Sequence, residues 1–168
     1  MKPHQIEVLK FGTKYGIITG VIGIIFTVVL IALNVLYNQS IEKTLSGFVV
    51  LIVPIITAIY IFKKKNNSLA VEQAIGVGVI TALVAAIVTI LFTYLLTNFI
   101  LTDFWDNSAA INRIQLKEQY PAITPEQLQE NIALKQKMSW ITYPFILLFN
   151  LCIGFVVSLL TGIALKTK

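Results

Sequence analysis

The chain has 168 residues, of which 57% are hydrophobic and only 12% charged, with a mean hydropathy of +0.82. A soluble domain carries about 25% charged residues because it needs a polar shell against water, so this composition excludes an ordinary soluble fold. The net charge of +5 is distributed by topology, as shown below, and does not indicate nucleic-acid binding.

The N-terminal segment carries Lys2, Lys10 and Lys14 ahead of an apolar run from Tyr15 to Tyr37. That run is too long for the 7–15-residue apolar core of a secretory signal. It is followed by Asn38-Gln39-Ser40 and not by a small-residue cleavage site, so a retained transmembrane helix is expected over about 15–37. His4 has no carboxylate or cysteine partner at metal-site spacing and reads as solvated. Gly12, Gly16 and Gly20 recur every fourth residue, with Gly23 beside them, and such a line lets helix backbones approach closely in lipid. It serves either packing within the bundle or contact with a partner subunit.

A second apolar stretch spans about 45–62, interrupted by Pro54 and closed by Lys63-Lys64-Lys65. The third, about 74–101, shows Gly78, Ala82 and Ala86 on one line. On another lie Thr81, Ala85, Thr89, Thr93 and Thr97, a possible path for a small polar solute together with Asn150. About 20 apolar residues cross a hydrocarbon core of about 30 Å. Unpaired backbone amides are excluded from lipid, so the spans are helices.

Residues 103–137 form the one sizeable polar insert. Asn107 or Ser108 is expected to cap a helix through about Gln119, ended by Tyr120-Pro121. Thr124-Pro125-Glu126-Gln127 reads as a capping box with proline at the first helical position. The helix it starts, with Leu128 and Ile132 on one face, is expected to run without a break into the fourth span. This hairpin is a docking surface, a lid or an interfacial connector. The last span, about 140–164, carries Pro144, Asn150, the lone Cys152, and the small-residue line Gly154, Ser158, Gly162. Asn150 is expected to bond to a neighbouring helix, and Pro54 and Pro144 to permit kinks.

Four spans put both termini on the side of the Lys63–Lys65 loop. That side holds eight cations and two acids, Glu7 and Glu72, against five cations and six acids on the other. Cations near span ends are retained in the cytoplasm. Cytoplasmic termini and a hairpin on the outer side of the membrane are therefore expected. Tyr37, Trp105, Trp140 and Tyr143 then fall at the outer boundary, where Trp105 and Trp140 would anchor the interface.

Asp, Glu, Lys, Arg and His are missing from the body of every span, although buried ionisable groups mark proton relays and ion paths. A lone cysteine allows no intrachain disulfide. Asp103 and Asp106 beside Trp105 read as solvated interfacial acids and not as a metal site. No nucleophile with a base and orienter is legible, so neither an enzyme nor a cofactor-dependent protein is expected.

The whole pattern resembles domain-of-unknown-function family 4199, a family of bacterial membrane proteins. The resemblance rests on the glycine-rich entry Lys14-Tyr15-Gly16-Ile17-Ile18-Thr19-Gly20 and the four spans with a long insert before the last. It also rests on the closing stretch Gly154-Phe155-Val156-Val157-Ser158-Leu159-Leu160. It implies no activity and no catalytic residues. The resemblance implies a bacterial inner membrane with the hairpin on the periplasmic side, and such genes often neighbour a membrane-associated glycosyltransferase, which would suit an accessory subunit.

The expectation is one all-α membrane domain over residues 1–168, with four transmembrane helices and an outer-side helical hairpin between helices 3 and 4. The function expected is a non-catalytic accessory or scaffold subunit of a larger membrane assembly. The alternative is a small, oligomeric transporter or lipid-handling protein.

Overall fold

Long apolar segments separated by short polar breaks become helices whose ends are set by local chemistry. The computed structural model describes residues 3–37 and 40–167, with side chains from residue 5 onward. Lys2, Lys168 and Asn38-Gln39 lie outside the described residues, as does the side chain of His4. The first helix, α1, spans Pro3–Ala32 and closes at Asn34, whose φ of 56° is left-handed. Asparagine tolerates that region better than other side chains with a Cβ. Ser40 caps α2 (Ile41–Asn66) by accepting from the Lys43 amide at 3.2 Å, and Asn67, again left-handed, ends it. The third helix, α3, covers Val71–Leu95.

Beyond Leu95 the chain widens into a π-helical turn, Leu96–Ile100, in which the Leu101 amide donates to the Leu96 carbonyl at 2.7 Å. Thr97 donates its hydroxyl to the Thr93 carbonyl, and the Asn98 amide donates to that of Tyr94. Side chains competing for these carbonyls favour such a departure from the α register. Helix α4 spans Phe104–Gln119. It begins a turn earlier than Asn107 or Ser108 would set it, with Asp103 in the cap position and the Asn107 amide bonded to the Asp103 carbonyl.

Helix α5, Pro125–Lys137, starts on a reciprocal capping box: the Thr124 hydroxyl accepts from the Gln127 amide, and the Gln127 side chain accepts from the Thr124 amide. It does not continue into the last span. Met138 ends it, a short 3-10 turn follows at Ser139–Ile141, and α6 runs from Thr142 to Leu165. Proline explains the break. In a continuous helix Pro144 would remove one backbone bond and press on the Trp140 carbonyl. A restart at Thr142 places it in the first turn, where its missing N–H is not needed. Pro144 therefore starts a helix and does not kink one.

The chain divides into two compact units, residues 1–91 with 146–168, and Phe92–Phe145. In the first, α1, α2, α3 and α6 pack around a core of Ile55, Ala58, Ile59 and Phe62 from α2 and Ala74, Val77 and Ala82 from α3. Helix α3 is the hub, with 33% of its most apolar stretch buried, the largest share of the four. Phe11 meets Phe62 edge to face, tying α1 to α2, and Phe48 meets Phe149 likewise, tying α2 to α6. The C-terminus is pinned by Thr167, which exchanges two 3.0 Å hydrogen bonds with the backbone of Leu69.

In the second unit, Leu128 and Ile132 are buried and the remaining residues of α5 are exposed. The Lys135 ammonium donates to Asn112 and the Gln136 amide to Asp106, joining α5 to α4 side by side. Tyr94 packs near both Phe99 and Tyr143. The hairpin thus buries Leu128 and Ile132 of α5, while Ile114 of α4 and Leu134 of α5 stay exposed among its polar residues.

Candidate functional site

Four places concentrate the residues that the sequence marks: two helix joints, a cavity within the first unit, and a cleft within the second.

In the first joint, Gly12, Gly16 and Gly20 of α1 lie against Ile80, Val84 and Val88 of α3, in step and in the same direction along both helices. A Cβ added at Gly16 would stand 2.5 Å from the Val84 Cβ and 2.9 Å from the Thr81 carbonyl oxygen. The ridge of branched side chains fills the groove that glycine leaves. An interhelical hydrogen bond crosses the joint, from the fully buried Thr81 hydroxyl to the Gly12 carbonyl at 3.3 Å.

In the second joint, Gly154, Ser158 and Gly162 of α6 meet Ala82, Gly78 and Ala74 of α3 in antiparallel order. Ser158 is fully buried and returns its hydroxyl to the Phe155 carbonyl. Both small-residue lines are therefore occupied within the chain. As partner faces, Gly12, Gly16, Gly20, Gly154, Ser158 and Gly162 are already covered, because close approach to α3 leaves no room for a second helix.

Gly23 lies beyond the tight part of the first joint, with its nearest neighbour, Thr89 Oγ1, 3.9 Å from an added Cβ. Here the helices part around a cavity of about 320 Å³ lined by Thr19, Gly23, Thr27, Thr44, Thr89 and Asn150 among apolar side chains. Thr19, Thr27 and Thr44 each donate to the carbonyl four residues earlier in the chain, at 2.7, 2.9 and 3.2 Å. Asn150 does the same to Ile146 at 2.8 Å, so it bonds to its own helix and not to a neighbour. The i−4 carbonyl is the nearest acceptor, and this bond leaves the amide oxygen available. Pro54 has no N–H for the Val50 carbonyl, and Val50 stands in the same wall.

The threonines of the third span lie in different surroundings. Thr81 belongs to the α1–α3 joint, Thr89 to this cavity, and Thr93 and Thr97 to the second unit, where they bond to each other. Thr19, Thr27 and Thr44 were missed as cavity residues. The signal for two of them was present, since Thr19, Gly23 and Thr27 recur every fourth residue on one side of the first span.

The cleft of the second unit, about 450 Å³, has Trp105, Met138, Ile141 and Phe145 as apolar walls and Ser108, Asn112, Lys135, Gln136, Ser139 and Thr142 as polar ones. Its polar side chains are held in place by the Lys135–Asn112 and Gln136–Asp106 hydrogen bonds, at 3.3 and 3.1 Å. Trp105, half-buried, stacks edge to face on Phe104 and turns into this cleft, whereas Trp140 is 63% exposed in the turn before α6.

Four helices among the described residues are long and apolar enough to cross a membrane, and their apolar faces remain exposed outside the bundle. These features define a polytopic membrane protein with four spans. The chain belongs to the family described as "Protein of unknown function (DUF4199)", whose model matches residues 14–167. Neither a search of curated proteins nor one of solved structures gave a match.

Proposed function

We propose that this protein is a non-catalytic accessory subunit of a larger assembly in the bacterial inner membrane, and that its hairpin, on the periplasmic side, docks the partner. The observation that carries the reading is the cleft of the second unit. An aromatic and a methionine wall beside positioned polar groups is the composition of a pocket that receives a partner's anchor side chain. The small-residue lines are used for packing within the chain, which leaves the hairpin as the recognition element. The asymmetry of lysines supports cytoplasmic termini. A membrane-associated glycosyltransferase is the partner that the family resemblance favours.

The test is affinity purification of the tagged protein in mild detergent at native expression, with mass spectrometry of what accompanies it. A stoichiometric membrane protein that is lost from the W105A/M138A variant and kept by G47A is the expected result. Recovery of the monomer or homo-oligomer alone refutes the reading.

A second reading, a small transporter or lipid-handling protein, is favoured by the cavity beside Thr89 and Asn150. It predicts that T89V alters solute or lipid movement in proteoliposomes while the bundle stays folded. Unchanged movement removes it.

A further inference from the structure

Packing of α1 onto α3 fixes which way the rest of α1 points. With Gly12, Gly16 and Gly20 held against Ile80, Val84 and Val88, the opposite face of α1 is turned out of the bundle. That face begins with Lys10 and Lys14, one turn apart and both exposed, with Thr13 between them. It continues as an exposed apolar stripe through Ile17, Ile18, Val21, Ile25 and Val28. Leu9, Lys10, Thr13, Lys14, Ile17 and Ile18 line a shallow groove at the junction of the two parts.

Among the described residues no carboxylate lines this groove. Glu7, the acid nearest in sequence, is drawn to Lys65 of α2 at 3.0 Å. Among the described residues the two lysines therefore have no carboxylate partner, and they stand as a pair of positive charges directly above an apolar track. The track has a definite length. Ile17 and Val28 are eleven helical steps apart, about 16 Å at 1.5 Å per residue. Half of a hydrocarbon core of about 30 Å is about 15 Å, the depth one acyl chain occupies.

We propose that this face of α1 is a binding site for an anionic phospholipid. The phosphate sits between the Lys10 and Lys14 ammonium groups, within reach of the Thr13 hydroxyl, and the acyl chains lie along Ile17, Ile18, Val21 and Ile25. Lysine stems lie along apolar surface while their ammonium groups reach the headgroup layer, and a basic residue at that layer attracts anionic lipid. The match of charge pair, hydroxyl and chain-length track fits a phospholipid. An acidic peptide would leave the apolar track unused.

The site is tested by native mass spectrometry of the detergent-solubilised full chain titrated with phosphatidylglycerol and, separately, with phosphatidylcholine. Wild type is expected to prefer phosphatidylglycerol. K10Q/K14Q is expected to lose that preference roughly thirty-fold, from two lysines at the headgroup layer. K10R/K14R retains it, and so does K63Q/K64Q, which removes equal charge elsewhere on the basic end of the bundle. Thermal unfolding in phosphatidylcholine micelles, unchanged across these variants, establishes that all are folded. Equal binding of the two lipids, an unaffected K10Q/K14Q, or an equal loss in K63Q/K64Q overturns the site. Competition by inorganic phosphate alone also overturns it, because a bare anion site does not need the apolar track.

Discussion

Gly16→Ala isolates the joint between α1 and α3. The new Cβ would stand 2.5 Å from the Val84 Cβ and 2.9 Å from the Thr81 carbonyl oxygen. Ordinary contact between such atoms begins at about 3.4 Å, so the two helices must part by roughly 1 Å along this stretch. A backbone oxygen cannot turn aside as a flexible side chain can. Overpacking of this kind costs about 1–3 kcal/mol, while alanine gains back about 1 kcal/mol over glycine in helix propensity. The net expectation is a loss of up to about 2 kcal/mol, measured as reversible unfolding of the purified protein in mixed micelles with increasing SDS.

Gly47→Ala is the internal control. Nothing lies within 4 Å of its added Cβ, so only the propensity gain remains and the variant is at least as stable as wild type. Gly16→Ala combined with Val84→Gly should cost less than the sum of the two single substitutions, because the pair removes the Cβ collision but leaves the Thr81 carbonyl in place. A G16A protein as stable as G47A would refute the packing argument, since it would show that the α1 glycines do not face α3.

The α3–α6 joint makes a parallel prediction: Gly78→Ala collides with the Ser158 Cβ, and adding Ser158→Gly should recover much of the stability lost in the same SDS titration. Thr81→Val removes one interhelical hydrogen bond at nearly constant volume, so the expected cost is only about 0.6 kcal/mol. Thr124→Ala deletes half of the capping box and should destabilise α5 by about 1 kcal/mol. Faster amide exchange over the first turn of α5, with exchange in α2 unchanged, is the readout.

Much of the fold was legible because lipid imposes a one-dimensional rule: twenty apolar residues without charge make a helix. Thr124-Pro125-Glu126-Gln127 was legible for a similar reason, since a capping box is satisfied by four adjacent residues. The break at Ser139–Ile141 was signalled by Pro144, but a proline reads equally as a kink or as a first-turn residue until the preceding helix has an end. The start of α4 was less legible, because Asp103 makes no side-chain cap and only backbone bonding marks the turn.

The sequence by itself determined that this is a membrane protein of four helical spans and that small residues bring helices together, since both follow from composition and spacing along one chain. Which helix each line meets was decided only in three dimensions. Gly12, Gly16 and Gly20 suit any close-packed neighbour, inside the chain or out of it, and only the branched ridge of Ile80, Val84 and Val88 selects α3. The same choice separates Thr81 from Thr89, two turns apart on one helix, into a dry joint and a cavity wall. It also turns Lys10 and Lys14 outward. Helix periodicity defines faces, but the partner of a face is a property of packing, which the order of residues along the chain does not contain.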